Sequence, residues 1–383
     1  MVYRLIHSTM KARLIIDSTR RSPDLLYLAG FRAPDPVIWL QVGRESFLVL
    51  SDLELDRGRS TARVTRCLAY TPLARRARAR LTAPVSPAHV AALALQDRGA
   101  RRVEVPATFP ALYLSHLEQM DVTPVIVPGP FVPRRRRKTR RQVEAMRRCQ
   151  RAGEEGMLIA AAMIASAKRR GRRLFLDGKP LTSERLKSEV SVALLSRGYQ
   201  AAGLIIAGRP EQSCLPHHPG SGPILADHAI IMDFFPRSLE TGYHGDETRT
   251  VVRGTPSRRL AAMARAVREA ERRAARMLRP GARGAEIHSR TVEFLEKEGF
   301  STDRKGSRPR GFFHGLGHGL GLEIHEAPSL SSPDVVLEVG DVVTVEPGLY
   351  YPRTGGVRHE NLYHIGRNGT QQLGSLDLDL IIP

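Results

Sequence analysis

Residues 230–252 read IIMDFFPRSLETGYHGDETRTVV, and the two acids within this run decide how the surrounding chain folds. Asp233 stands in the middle of an apolar strand, between Met232 and Phe234. The segment PRSLETG then turns the chain into YHGDETRTVV, so the two runs predict an antiparallel hairpin that brings Asp233 close to Asp246. A bare carboxylate in an apolar strand is costly unless a cation or a hydrogen-bond donor compensates it. An ion pair to Arg249 would account for Asp246 alone, but not for the pair of acids.

Residues 343–365, VTVEPGLYYPRTGGVRHENLYHI, repeat the logic. Glu346 follows a run of β-formers and precedes Pro347 and Gly348, which end or bulge the strand. Glu360 follows GGVRH, read as a turn into another strand. Between the two acid pairs lies HGLGHGLGLEIHEAP, residues 314–328, with His314, His318 and His325 in a glycine-rich frame. The i, i+4 spacing of His314 and His318 would place both on one helix face, yet Gly315, Gly317, Gly319 and Gly321 argue against a helix. In an extended segment those imidazoles stand roughly 13 Å apart, too far to share one ion. One histidine should therefore be a ligand, with the others serving substrate or proton transfer. Glycines beside His318 would let backbone and substrate approach closely.

Four carboxylates and one imidazole converging on one place are what a pair of divalent metal ions requires. Hard oxygen donors with a single imidazole suit manganese, with cobalt, zinc or iron as alternatives. Four carboxylates nearly balance two divalent charges, leaving room for one hydroxide bridging the two ions. The reaction class that follows is metal-assisted hydrolysis of an amide.

The bulk properties fit a soluble enzyme. A chain of 383 residues is long enough for two domains with their own cores. No apolar run reaches the roughly 18 to 20 residues that span a bilayer, so no membrane partner is expected. The first 18 residues interrupt their hydrophobics with Arg4, His7, Lys11 and Arg13 and so lack the core of a signal peptide. Three cysteines without CxxC spacing favour a reducing compartment, the cytoplasm. The net charge of +20 comes almost wholly from arginine, a bias that a GC-rich genome also produces. The arginine clusters are not interleaved with aromatics, which argues against a nucleic-acid partner.

Residues 20–130 alternate short apolar strands with helical stretches. PVIWLQVG and SFLVLSDLE read as neighbouring strands, SPAHVAALALQDRG and FPALYLSHLEQM as helices, RRVEVPA and VTPVIVPGP as further strands. This is an α/β domain. VPGPFVPRRRRKTRRQ then reads as a linker, its arginine run a solvated start to the helix that follows from Gln142. Beyond it, LTSERLKSEVSVALLSRGY and GARGAEIHSRTVEFLEKEGF are faintly alike, each a helix ending at glycine plus an aromatic and leading into a strand-rich stretch. That pattern predicts a β-rich core flanked by paired helices, with the site between the halves.

At these residues the chain resembles the pita-bread (M24) metallopeptidases, most closely the branch of prolidase and aminopeptidase P. GYHGDETRT matches that family's first acid pair, His314 to Pro328 its HGxGHxxGLxxHExP stretch, and VEPGLY and GGVRHE its last two acids. The resemblance implies metal ligands at Asp233, Asp246, His318, Glu346 and Glu360, with Asp246 and Glu360 bridging two ions. It further implies Glu346 as general acid/base, His217 and His325 on the substrate side, His314 nearby, and Arg358 orienting a carboxylate. Tyr350 is a candidate to support these groups. Phrases such as LLYLAGF, PDPVIWL and VLSDLE resemble the creatinase-type N-terminal domain. The implied fold class is mixed α/β and α+β: a creatinase-like α/β domain over residues 1–135 and a pita-bread catalytic domain over 136–383. The implied substrate is a peptide with proline after the scissile bond, and the implied assembly a homodimer.

Two departures bear on the substrate. Phe235 stands where the family has glycine two residues after the first acid, and the chain is shorter than a typical aminopeptidase P. Dipeptidase and aminopeptidase activity both remain open, as does the preferred residue before proline. The competing readings are a non-peptidase C–N hydrolase and a catalytically inactive binding module of the same fold. Retention of all five ligand positions speaks against both.

Overall fold

The computed structural model describes residues 11–305 and 308–382. The reading of the N-terminal residues as lacking a leader core rests largely on residues 1–10, which lie outside the described residues. The chain divides into two compact units, one running through Arg135 and the other from Arg136 onward.

The first unit is a six-stranded sheet in the order Arg66–Ala69, Glu45–Leu50, Val37–Val42, Ala12–Asp17, Arg102–Pro106, Thr123–Val127. Its centre is antiparallel and both flanks are parallel. Strand alternation sends Leu14, Ile16, Ile38 and Leu40 to one face, where helix Pro87–Gln96 packs. Ile15, Trp39, Leu48 and Leu50 go to the other. Both faces are thus covered, which is why these strands read as nearly continuous hydrophobic runs. Ser86 caps the Pro87–Gln96 helix, and proline occupies its first turn, where no backbone donor is needed.

The second unit is built from two helix-pair-and-sheet halves, as the faint internal likeness predicts. Helices Arg140–Ser166 and Ser183–Ser196 pack through Met157, Ile164 and Val190 against a sheet ordered Tyr199–Ala207, Ile230–Ser238, Glu247–Arg253, Ile381–Ile382. Helices Arg258–Met277 and Gly284–Lys297 pack through Met263, Val267 and Ile287 on the other half. Its sheet is ordered Glu326–Ser329, His318–Gly319, Val342–Val345, Asn361–Gly366, Gly369–Gln372. The halves join at their concave centre through a bridge between Thr248 and Glu360.

Two local expectations are corrected. The arginine run is only in part a solvated helix start: Arg134, Arg137, Arg140 and Arg141 are exposed, but two other members of the run are not spent on solvent. Arg136 donates to both oxygens of the fully buried Asp341 at 2.8 Å, and Lys138, also buried, donates to Glu326 Oε1 at 2.7 Å. These partners lie some two hundred residues further along, so no local pattern reveals them. GGVRH is likewise not a turn: Gly355–Arg358 is a strand paired antiparallel with Gly348–Tyr351. The reversal is made earlier, where Pro352 supplies the turn chemistry and the Thr354 N–H donates to the Tyr351 carbonyl at 2.9 Å.

Candidate metal centre

In the hairpin of strands Ile230–Ser238 and Glu247–Arg253, Asp233 lies opposite Thr248. Asp246 precedes Thr248 by two residues, so all three side chains share one face. The Asp246 N–H donates to Gln150 Oε1 at 3.0 Å, which ties the turn to the long helix. Glu346 follows the last residue of strand Val342–Val345. Glu360 sits between strands Gly355–Arg358 and Asn361–Gly366, its N–H donating to the Thr248 carbonyl at 3.1 Å. His318 opens a two-residue strand squeezed among its neighbours. A side chain at the preceding Gly317 would put its Cβ 2.0 Å from the Thr344 carbonyl oxygen, so glycine is required there.

These elements enclose a cleft of about 350 Å³ lined by the five expected ligands together with His217, His314, His325 and Arg358, but not by Tyr350. Atoms of Asp246, His318 and Glu360 able to bind a metal lie within 4.8 Å of one another. His318 Nε2 is 3.4 Å from Glu346 Oε1 and 3.6 Å from Asp246 Oδ2. Its Nδ1 faces the Gly319 carbonyl at 3.2 Å, so the proton belongs on Nδ1 and the Nε2 lone pair points at the acids. A lone pair aimed at two carboxylates is repulsive unless a cation lies between them.

One guanidinium holds the other side of the cleft. Arg358 is buried and donates to Asp233 Oδ2 at 2.6 Å, Tyr350 Oη at 2.9 Å, Thr248 Oγ1 at 3.2 Å and the Pro216 carbonyl at 3.2 Å. The remaining Asp233 oxygen, Oδ1, is buried with no partner among the described residues. Arg249 does not pair with Asp246. It reaches Glu247 at 2.6 Å and the Glu360 carbonyl at 2.6 Å, bracing the strands behind the acids. His314 has both ring nitrogens engaged, by the Gly315 carbonyl at 2.8 Å and Tyr350 Oη at 3.0 Å. Tyr350 is wholly buried, at once packed and hydrogen-bonded.

The electrostatics are those of an anion-rich pocket in low dielectric. Burial, then the charges of Glu360, Asp233 and Glu346, hold the Asp246 carboxyl well above its ordinary range. Burial and then Glu360 do the same to Glu346, and burial followed by Asp233 pushes Glu360 up to about 7. Burial takes His318 down to about 4, so its imidazole is neutral and able to donate its lone pair. An unpaired Asp233 oxygen, three further acids and a neutral imidazole fit divalent cations. Asp233, Asp246, His318, Glu346 and Glu360 are the residues that would hold them.

The mouth of the cleft is different. His217 and His325 are exposed there, and neither ring has a hydrogen-bond partner among the described residues. His325 stands perpendicular to His318 with ring centroids 4.2 Å apart. His218, by contrast, accepts from the Gly220 N–H at 2.9 Å and is occupied in its own loop.

A family model, described as metallopeptidase family M24, matches residues 144–367. The chain belongs to metallopeptidase family M24. Among proteins of known sequence, it is 30% identical over 248 residues to a Xaa-Pro dipeptidase of Pyrococcus furiosus. That alignment covers 64% of this chain and 64% of the relative's length. Among solved structures, a prolidase from Pyrococcus horikoshii OT3 superposes with a TM-score of 0.78 at 22% identity, covering 97% of this chain and 96% of that one. An X-Pro aminopeptidase from Thermotoga maritima superposes with a TM-score of 0.77 at 21% identity and covers 97% of each chain. These two likenesses speak for the mixed α/β pita-bread fold. Membership of a metallopeptidase family implies divalent metal ions. Among the described residues, no helix is long and apolar enough to cross a membrane.

Several residues that shape this M24 cleft were not picked out from the sequence. Thr248 bonds both Glu360 and Arg358, Thr344 Oγ1 accepts the His318 N–H at 3.1 Å, and Gln150 holds Asp246. The alternating threonines of DETRTVV were a usable signal for Thr248, since an i, i+2 partner of Asp246 must share its face. Gln150 lies in a helix nearly a hundred residues away and left no such trace.

Proposed function

We propose that this protein is a dinuclear metallopeptidase that cleaves Xaa-Pro bonds, in dipeptides or at peptide N-termini. The observation that carries the reading is the convergence of four acids and a neutral imidazole on one cleft with unengaged histidines at its mouth. Asp233, Asp246, His318, Glu346 and Glu360 would hold two divalent ions, with manganese first among manganese, cobalt, zinc and iron. When bound, such a pair supplies a nucleophilic water at neutral pH and polarises the scissile carbonyl.

The chain's own groups do the rest. Glu346, with its side chain 18% exposed to the cleft, takes the proton from the nucleophile and delivers it to the leaving nitrogen. His325 and His217, with free ring nitrogens, orient the peptide. Phe235 and Ile205 on the cleft wall exclude water and offer an apolar seat to a proline ring. Arg358 spends its donors on Asp233, Tyr350 and Thr248, so it positions the acids rather than binding substrate.

The test is proline release from Xaa-Pro dipeptides and Xaa-Pro-Xaa tripeptides after chelation and reloading with Mn²⁺, Co²⁺ or Zn²⁺, alongside metal analysis of the protein. Turnover of dipeptides alone identifies a dipeptidase, and turnover of tripeptides an aminopeptidase. Bound metal without turnover of either would overturn the peptidase reading. The resemblance also supports a cytoplasmic homodimer, which sedimentation of the purified protein would test.

A further inference from the structure

A second cavity, of about 410 Å³, opens in the first unit, on the sheet face that carries Trp39. Strand register builds its floor. Arg13 lies opposite Gln41 and Gln41 opposite Ser46, while Ile15, Trp39 and Leu48 form the adjoining row. Residues two apart in a strand share a face, so both rows point the same way. Arg13, Arg44, Arg63 and Arg134 line the cavity, and among the described residues no acid does.

Three of these charges have no acid to answer them: among the described residues Arg44, Arg63 and Arg134 form no ion pair, Arg134 lying over the Tyr27 ring 5.3 Å from its centroid, while Arg13 pairs with Glu104 at 3.7 Å. Residues 1–10, MVYRLIHSTM, contain no acid either. The Arg13 guanidinium is stacked on Phe131, 4.1 Å from the ring centroid, and also donates to the Phe131 carbonyl. Arg63 lies across Gly30, where a Cβ would sit 2.0 Å from its Nε, so a side chain there would push the guanidinium aside. Trp39 supplies an independent sign of a missing partner. It is 2% exposed, yet its Nε1 has no hydrogen-bond acceptor among the described residues. Buried donors are nearly always satisfied.

We propose that this cavity binds a small phosphate-bearing ligand. Arg13 is partly engaged by Glu104 and the Phe131 carbonyl, and Gln41 Nε2 donates to the Gly43 carbonyl at 3.0 Å. The three guanidinium groups without an acid, with the Trp39 and Ser46 donors, still exceed what one carboxylate, with about four lone-pair sites, can accept. A phosphate brings more acceptor oxygens and a second charge, and arginine forks match it in bidentate geometry. Leu28 and Val132 give the walls an apolar side for the organic part of the ligand. The site is independent of the metal cleft and of the peptidase reading.

The chain contains one tryptophan, so its emission reports this cavity alone. Full-length protein titrated with inorganic pyrophosphate at constant ionic strength should show a saturable change in that emission. In the double variant Arg44→Gln/Arg63→Gln, affinity should fall at least about tenfold, the loss of two charge-assisted contacts. Both side chains are exposed, and an unchanged thermal melt would show that the fold is kept. Should the double variant not fold, Arg44→Gln alone should still weaken binding. No saturable response, an equal response to sodium chloride, or unchanged affinity in the variants would overturn the site. Succinate or citrate binding as tightly as pyrophosphate would overturn the phosphate assignment.

Discussion

Thr248 donates its hydroxyl proton to Glu360 Oε2 across 2.7 Å, and the same hydroxyl oxygen accepts from Arg358 Nε at 3.2 Å. One side chain thus fixes the orientation of an acid and of the guanidinium that holds another acid. Thr248→Val keeps the shape and removes both bonds. Outer partners of metal ligands are typically worth about 10 to 100-fold in metal affinity or activity, so kcat/KM should fall within that range. Metal titration followed by assay checks it, and wild-type values in both would show that the hydroxyl is idle.

Arg358→Met should destabilise the metal-free protein by about 3–5 kcal/mol, because it leaves Asp233 buried without its cation. Added divalent metal should restore part of that loss by supplying the missing charge. Urea unfolding with and without metal measures both effects.

Lys138→Met should lower kcat/KM without changing metal content. Lys138 is paired at 2.7 Å with Glu326, the residue after His325, and it sits far along the chain from every ligand. Its loss frees the segment that presents His325 to the substrate. Metal analysis beside steady-state kinetics separates this outcome from damage to the metal centre.

Asp246→Ala and Glu360→Ala should abolish activity together with metal binding, since each would bridge two ions. His325→Ala should keep the metal and lose kcat. Loss of metal from His325→Ala would show that the division between ligands and substrate-side histidines is drawn in the wrong place.

The stability gap between the metal-loaded and metal-free proteins should widen as pH rises. Glu360 is pushed up to about 7 in the folded, metal-free chain, against an ordinary glutamate value of about 4.3 when unfolded. In that window Glu360 holds a proton in the native state that it has lost in the unfolded state, so its contribution to the stability of the metal-free protein falls as pH rises. His318, held down to about 4, contributes the opposite below about 6.5. Metal binding displaces those protons, so metal affinity and its stabilising effect should grow over the same range. Thermal melts between pH 5 and pH 7.5, with chelator and with Mn²⁺, provide the comparison; parallel curves would count against these acids as ligands.

The hairpin carrying Asp233 and Asp246 was readable because strand alternation and a turn are local properties. The non-helical setting of His318 was readable for a similar reason, since its glycines are incompatible with a stable helix. Arg136 and Lys138 were misread, because a run of basic residues looks solvated unless its buried acids are known. The GGVRH segment was misread because the flanking strand and its turn compete for the same residues, and Pro352 decides between them.

Residue type and spacing along the chain determined which groups could bind metal and which strands would carry them. Only the folded chain decided that Thr248 bridges Glu360 and Arg358, that Gln150 holds Asp246, and that His314 is tied to Tyr350 while His325 stays free. Alternation and turn chemistry act over a few neighbouring residues and are written into them. Hydrogen-bond pairing across a hundred or more positions depends on how the two halves close on each other, and that is settled only by packing.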